Sequence, residues 1–321
     1  IIHRKAMEWI RRQEGDKPFF GVFTYTLPHA ELVQPEDSIL QYYREKFADD
    51  KDWEAGAWSR YNTSRDTYAQ FAAMVSRLDG YVGEIMDELK GNGLADNTLV
   101  IFTSDNGPAL EGSVGDLRGG KYLAYEGGQK VPFMIKWTNN GGLWEAGSTR
   151  KQSSVLADMF PTLIELCGIT GDNGKKNYLP EDRTIDGVSM VPVLKDDTAI
   201  HTEDHPILHM KREELKAIQY TMTTDEVLSQ DEYKNYKYPV LTENEYITFK
   251  YFRKMQNDNP AFFDKTRKNW LFVLTDDKGE NYNRTSTYPT IAEELNQKMT
   301  DVMNDFKSNR RGINQEYYNN L

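Results

Sequence analysis

Apolar positions recur along this chain in three patterns, and each predicts a different kind of element. From residue 66 to 90, Phe71, Val75, Leu78, Val82, Ile85, Met86 and Leu89 return every three or four positions. That is the period of a core-facing helix, and Gly91 to Gly93 would end it. Residues 2 to 13 carry Ile2, Met7, Trp9 and Ile10 among basic residues, an amphipathic pattern broken by Gly15-Asp16-Lys17-Pro18. Phe19 to Thr26, Leu99 to Ser104 and Val131 to Trp137 are instead continuous apolar or β-rich runs, which predict buried strands. Ser153-Ser154 predicts the N-cap of a helix running through Leu166, with Asp158 in its first turns. After about residue 200 the runs shorten and alternate, as in Tyr246 to Phe252 and Trp270 to Leu274. Alternation of this kind predicts a half-exposed antiparallel sheet. Thr275 to Gly279 is a turn, and Ile291, Leu295, Met299, Val302 and Phe306 predict a closing helix. Residues 36 to 62 have little period and predict a loop with short helices; residues 171 to 184 predict a polar loop.

A chain of 321 residues is long enough for two domains. Its charged and apolar fractions, 28% and 38%, are those of a globular protein on the polar side. The net charge of −11 argues against nucleic acid as a partner, for which a basic face would be needed. No apolar run approaches the roughly 18 residues that span a bilayer. The single cysteine, Cys167, excludes an internal disulfide framework and is expected to be a small core residue. Asn62-Thr63-Ser64 and Asn283-Arg284-Thr285 fit the glycosylation sequon, a tripeptide that is common by chance.

Candidate chemistry begins where the run Leu99 to Thr103 ends in Ser104-Asp105-Asn106-Gly107. Ligands of α/β sheets bind beyond the carboxyl ends of the strands, and adjacent carboxylate and amide oxygens suit a hard cation. The bland alternative is a turn that uses Asn-Gly chemistry. The glycine-rich loop that follows, to residue 128, exceeds about 15 residues, a length usually associated with function. Within it Lys121 follows two glycines, which let backbone approach an anion closely beside a mobile point charge. His29 lies on a loop bracketed by Pro28 and Pro35, at the carboxyl end of a predicted strand. His201, His205 and His209 are spaced by four, but Pro206 interrupts any continuous helix and Ile207-Leu208 predicts a strand instead. The 19 tyrosines could supply sugar-stacking platforms, although aromatic residues more often fill cores and interfaces.

Taken in order, several segments resemble the sulfatase family of the alkaline-phosphatase superfamily. They are Lys17-Pro18-Phe19-Phe20 with Leu27-Pro28-His29-Ala30, Tyr68 to Asn97, Ser104-Asp105-Asn106-Gly107, and Asp116-Leu117-Arg118-Gly119-Gly120-Lys121. Tyr125-Glu126-Gly127-Gly128 with Val131-Pro132, and Ile185-Asp186-Gly187-Val188-Ser189, continue the resemblance over roughly residues 15 to 195. Trp270 to Thr285 is similar to a further family segment, with Asp277-Lys278 where the family carries Asp-Pro; residues 205 to 265 match poorly. The resemblance implies an α/β fold: a mixed, mostly parallel sheet sandwiched by helices, with a small C-terminal antiparallel sheet plus helix. Residues 1–200 would be part of the catalytic domain and residues 201–321 a small α+β subdomain, whose poorly matching stretch could carry substrate selectivity. It implies hydrolysis of sulfate esters of a glycan or an aryl alcohol. Asp105 and Asn106 would be metal ligands. Lys121 and His29 would contact the sulfate and the leaving oxygen, as both catalytic and substrate-binding residues. Asn106, where related phosphonate hydrolases carry His, and an oxygen-only shell favour Ca²⁺, or Mg²⁺, over a zinc pair. Arg118 would be structural or would pair with an acid such as Glu126. The family's nucleophile is a formylglycine made in a C/S-x-P-S/T-R motif, which this sequence lacks. The chain is therefore expected to be the C-terminal part of a longer, exported protein, periplasmic or secreted, and to be inactive alone. Two alternatives remain open: a phosphoesterase or phosphonate hydrolase of the same superfamily, and a non-catalytic domain that binds sulfated glycans.

Overall fold

The computed structural model describes residues 1–48, 65–109, 112–169, 185–211, 214–234, 245–254 and 268–308. Asn62-Thr63-Ser64 and the polar loop of residues 171 to 184 lie outside them. The chain divides into two compact units. The first comprises Ile1–Ser104, Pro108–Ser113 and Pro132–Gly142; the second comprises Asp105–Gly107, Val114–Val131 and Leu143–Leu321.

In the first unit, α1 (Ile2–Ile10), α2 (Ser38–Lys46) and α3 (Thr67–Gly91) pack together beside the antiparallel pair β1 (Val100–Thr103) and β2 (Phe133–Lys136). Met7 and Ile10 of α1 bury against Ile85 and Leu89 of α3 and against Leu94. The Asp37 carboxylate accepts the Ile39 and Leu40 amides and so caps α2, whose Leu40 packs on Ala69 and Ala73 of α3. The buried stripe of α3 runs through Ala69, Gln70, Ala73, Met74, Ile85 and Leu89, whereas Val75 is exposed. Small residues thus turn inward over its first half, because they let α2 approach closely. The predicted strand at Phe19 to Thr26 pairs with no described strand, and Phe20 and Val22 are 73% and 69% exposed. A run with strand composition becomes a strand only when a neighbouring edge supplies ladder partners. Among the described residues every strand pair is antiparallel, β1 included.

The second unit is built on a four-stranded antiparallel meander. Its strands are β3 (Ile207–Lys211), β4 (Glu214–Thr223), β5 (Tyr246–Lys254) and β6 (Lys268–Val273), in that order. Ile247, Phe249 and Tyr251 of β5, with Leu271 and Val273 of β6, face Tyr288 and then Ile291, Leu295 and Met299 of the long helix Pro289–Ser308. The opposite face is not solvent, as the alternation predicted. Phe252, Trp270 and Phe272 bury there against Ala124 and Tyr125 of the glycine-rich loop. A sheet covered on both faces still alternates in sequence if the second cover accepts polar groups, and Lys250 is fully buried on that face.

The helix predicted from Ser153 starts later: a 3₁₀ turn at Leu156–Asp158 leads into a helix over Met159–Leu166. Asp158, expected only in its first turns, is fully buried and organises the region. Its Oδ2 accepts the Val155 amide (2.7 Å) and its Oδ1 the Val188 amide (2.9 Å). Cys167 is exposed rather than core, because it lies just past the end of that helix. His201 Nε2 lies 2.8 Å from Asp158 Oδ2, and Nδ1 lies 2.8 Å from the His205 carbonyl oxygen. Both neighbours are acceptors, so the ring satisfies them together only as the imidazolium. Burial opposes that charge, but the Asp158 carboxylate and the His205 carbonyl outweigh it and raise the His201 pKa above its ordinary 6.5.

Asp158→Ala would leave a buried cation and two buried amides without their acceptor, and is expected to cost about 3–5 kcal/mol in urea unfolding. The His201 pKa is raised in the folded state, so its contribution is fully present below about pH 6.5 and fades as pH rises through the folded value. Unfolding midpoints of His201→Gln and the parent chain should therefore converge above that pH.

Candidate active site

Three of the four sequence-predicted site residues, Asp105, Asn106 and Lys121, belong to the second unit; His29 belongs to the first. His29 is exposed, with Nδ1 2.7 Å from the Ala30 carbonyl oxygen.

The segments that carry Asp105, Asn106 and Lys121 are knotted together through backbone. The Gly107 amide donates to the Gly128 carbonyl at 2.9 Å, and the Gly127 amide donates to the Arg118 carbonyl at 2.7 Å. The Leu123 amide donates to the Gly120 carbonyl at 3.1 Å, which closes the turn that presents Lys121. A Cβ on Gly107 would overlap the Gly127 carbonyl oxygen, and one on Gly127 would overlap the Arg118 and Gly119 carbonyl oxygens. Glycine is required here because chain segments touch backbone to backbone. Asp105 is exposed while Asn106 and Lys121 are half-buried, so oxygen donors and an ammonium are both offered at the surface of one glycine knot. Lys121 Nζ lies 5.7 Å from the ring centroid of Tyr122, which is itself exposed.

Below the knot lies a buried ionic cluster. Lys250 Nζ donates to Glu126 Oε1 at 2.8 Å and sits 3.2 Å from Glu280 Oε1. Glu280 Oε2 accepts the Glu126 backbone amide at 2.7 Å. Glu280 Oε1 makes no hydrogen bond, so charge alone holds it beside the ammonium. Burial is the largest influence on Glu280 and Lys250 opposes it; the net effect pushes the carboxyl up to about 7. Arg118 has structural contacts, the first of the two roles foreseen for it. Its Nη1 donates to the Glu280 carbonyl at 2.9 Å and its guanidinium stacks 4.6 Å over Tyr125, while the Glu126 carboxylate receives Lys250. Asp277 shapes the turn that delivers Glu280: its Oδ2 accepts the Asn281 and Tyr282 amides at 2.7 Å each.

Sequence reasoning missed Lys250 and Glu280. Lys250 hid among alternating residues, and Glu280 lay inside a segment recognised for its similarity alone. Of the three histidines spaced by four, His201 serves Asp158, and His209 Nε2 meets Gln219 Oε1 at 3.2 Å. Burial, then the charge of Lys250, holds His209 well below its usual pKa. Among the described residues no group of three or more His, Cys, Asp or Glu side chains could hold a metal ion. Asp105 and Asn106 supply the oxygen chemistry that Ca²⁺ favours, but only part of the six to eight ligands it takes.

The fold, mixed α/β with a C-terminal antiparallel sheet and helix, is the alkaline-phosphatase-like one that solved structures share. Ps i-CgsB superposes with a TM-score of 0.66 at 22% identity, over 94% of this chain and 54% of that one. The same protein has been solved in complex with k-i-k-neocarrahexaose. The Sulfatase family model matches residues 1–169, and the chain belongs to the sulfatase family. It is 24% identical over 321 residues to the uncharacterized sulfatase YdeN of Escherichia coli (strain K12), covering 97% of this chain and 51% of that protein. It is 35% identical over 219 residues to arylsulfatase H of Homo sapiens, covering 65% of this chain and 32% of that protein. The chain thus spans about half, or less, of the length of these curated relatives. No described helix is long and apolar enough to cross a membrane.

Gly107→Ala forces a methyl group into backbone and is expected to cost about 1–3 kcal/mol, measured by urea unfolding. Glu280 has a folded pKa raised to about 7 from 4.5, so the fold loses stability as pH rises between those values. Glu280→Gln removes that dependence. Its unfolding midpoint should gain on the parent's from pH 4.5 to 7, and parallel pH curves would contradict the assignment.

Proposed function

We propose that this chain carries the metal-binding and sulfate-binding half of a sulfate-ester hydrolase acting on a sulfated glycan or an aryl sulfate. The observation that supports this reading best is the glycine knot, which joins the Asp105-Asn106 segment to the Lys121 turn in a chain of the sulfatase family. Asp105 and Asn106 would hold Ca²⁺, or Mg²⁺, through their side-chain oxygens, with further ligands from residues outside this set. Bound there, the ion would polarise a sulfate oxygen and orient the ester. Lys121 binds the sulfate as a point charge and lies ready to hand a proton from Nζ to the leaving oxygen. The family resemblance gives His29 a donor role toward the sulfate or the leaving oxygen. The formylglycine nucleophile belongs to sequence beyond these residues, since no C/S-x-P-x-R motif occurs in them. Following the family resemblance, we place the protein in the periplasm or among secreted proteins.

The test is release of alcohol from 4-nitrophenyl sulfate, and of sulfate from sulfated oligosaccharides, by the native protein that contains this sequence. Turnover should stop on chelation and return with Ca²⁺. Lys121→Ala should lower kcat/KM by roughly 10²–10³-fold, the scale seen when one charge-stabilising donor is lost. The 321 residues alone should show no turnover. Hydrolysis of phosphonate monoesters in preference to sulfate esters would overturn the reading.

A further inference from the structure

Lys250 stands on the middle strand-pair of the second unit, opposite Gln219 of β4 and Phe272 of β6, and has no exposed surface. Nothing in the packing of a sheet calls for an ammonium there. Neighbouring positions on the same face are Phe252 and Phe272, which pack on Ala124 and Tyr125. A buried ammonium is retained only with partners of opposite charge, and both partners of Lys250 attach to one short stretch of chain. Glu126 opens the helical turn Glu126–Gln129 that contains Gly127 and Gly128. Glu280 grips the same turn from outside, through the Glu126 backbone amide, while its carbonyl accepts Arg118. These two glycines and Arg118 are the points at which the Asp105-Asn106 segment and the Lys121 turn are tied together. Glu280 itself has left-handed backbone (φ 52°), a conformation a glutamate keeps only when its surroundings impose it.

We propose that Lys250 is a positioning residue for the sulfate-binding lysine: through Glu126 and Glu280 it fixes the turn that sets Lys121 against Asp105 and Asn106. It touches no substrate. The three charges lock Gly127 and Gly128 in place, and those glycines hold both halves of the site. The inference rests on the sulfate-binding role given to Lys121, but its structural part can be measured whether or not the protein hydrolyses sulfate esters.

The experiment compares the parent chain with Lys250→Met and Glu126→Gln by amide hydrogen exchange and by kinetics. Glu126→Gln keeps the side-chain shape and the backbone bond to Glu280, so it decides the matter if Lys250→Met fails to fold. Exchange on this chain should show protection at Gly107, Gly127 and Leu123 falling at least about tenfold, with the amides of β4 and β5 unchanged. Unchanged protection at those three amides, or an equal loss throughout β4 and β5, would overturn the proposal. In the native protein, Glu126→Gln should raise KM for 4-nitrophenyl sulfate and lower kcat, each at least about threefold, because a displaced Lys121 both binds sulfate and protonates the leaving oxygen less well. A parent that hydrolyses the ester while Glu126→Gln keeps both its KM and its kcat would overturn the link to Lys121. A parent that hydrolyses no sulfate ester counts against the sulfatase reading instead, and the exchange result still stands.

Discussion

An ammonium ion removed from water carries a desolvation penalty of several kcal/mol, which only close opposite charge can offset. Lys250 meets that requirement with Glu126 and Glu280, and the arrangement of the second unit follows from how those two acids reach it. Glu126 must approach from the glycine-rich loop, so the loop lies flat on the sheet. Glu280 must approach from the turn after β6, so Asp277 draws that turn tight by accepting two amides. Three segments distant in sequence are thereby held at one point.

The glycines turn that anchorage into a site. Gly107 and Gly127 let three stretches of backbone pack without side chains between them, so Gly107, next to the Asp105-Asn106 pair, and Arg118, just before Lys121, both hydrogen-bond to the Gly127-Gly128 turn. Rigidity comes from the buried charges and proximity from the missing Cβ atoms. Asp105 stays exposed, and Asn106 and Lys121 half-buried, at the surface of that knot. A second buried charge pair, Asp158 with His201, works in the same way elsewhere in the unit, tying Val155 and Val188 to the start of the sheet.

Much of this was legible in the residues. The period of three and four marked the helices over Ile2–Ile10, Thr67–Gly91 and Pro289–Ser308, and alternation marked β5 and β6. The order of the Asp-Asn-Gly, Gly-Gly-Lys and Glu-Gly-Gly segments pointed to the sulfatase family before any contact was known. Each of these signals is local, resting on side-chain spacing or short motifs that a linear text preserves.

What the sequence alone determined is most of the helices, the alternating strands β5 and β6, and the family. Tertiary structure decided which polar residues are buried and which apolar ones are not. Lys250 looked like the solvent side of an amphipathic strand and is buried, because two acids from 124 positions before it and 30 after it neutralise it. Phe20 and Val22 looked like a buried strand and lie exposed, because strand pairing depends on a partner edge as well as on composition. Charge pairing and strand pairing are interactions between distant segments, so their outcome is set only when the chain has closed on itself.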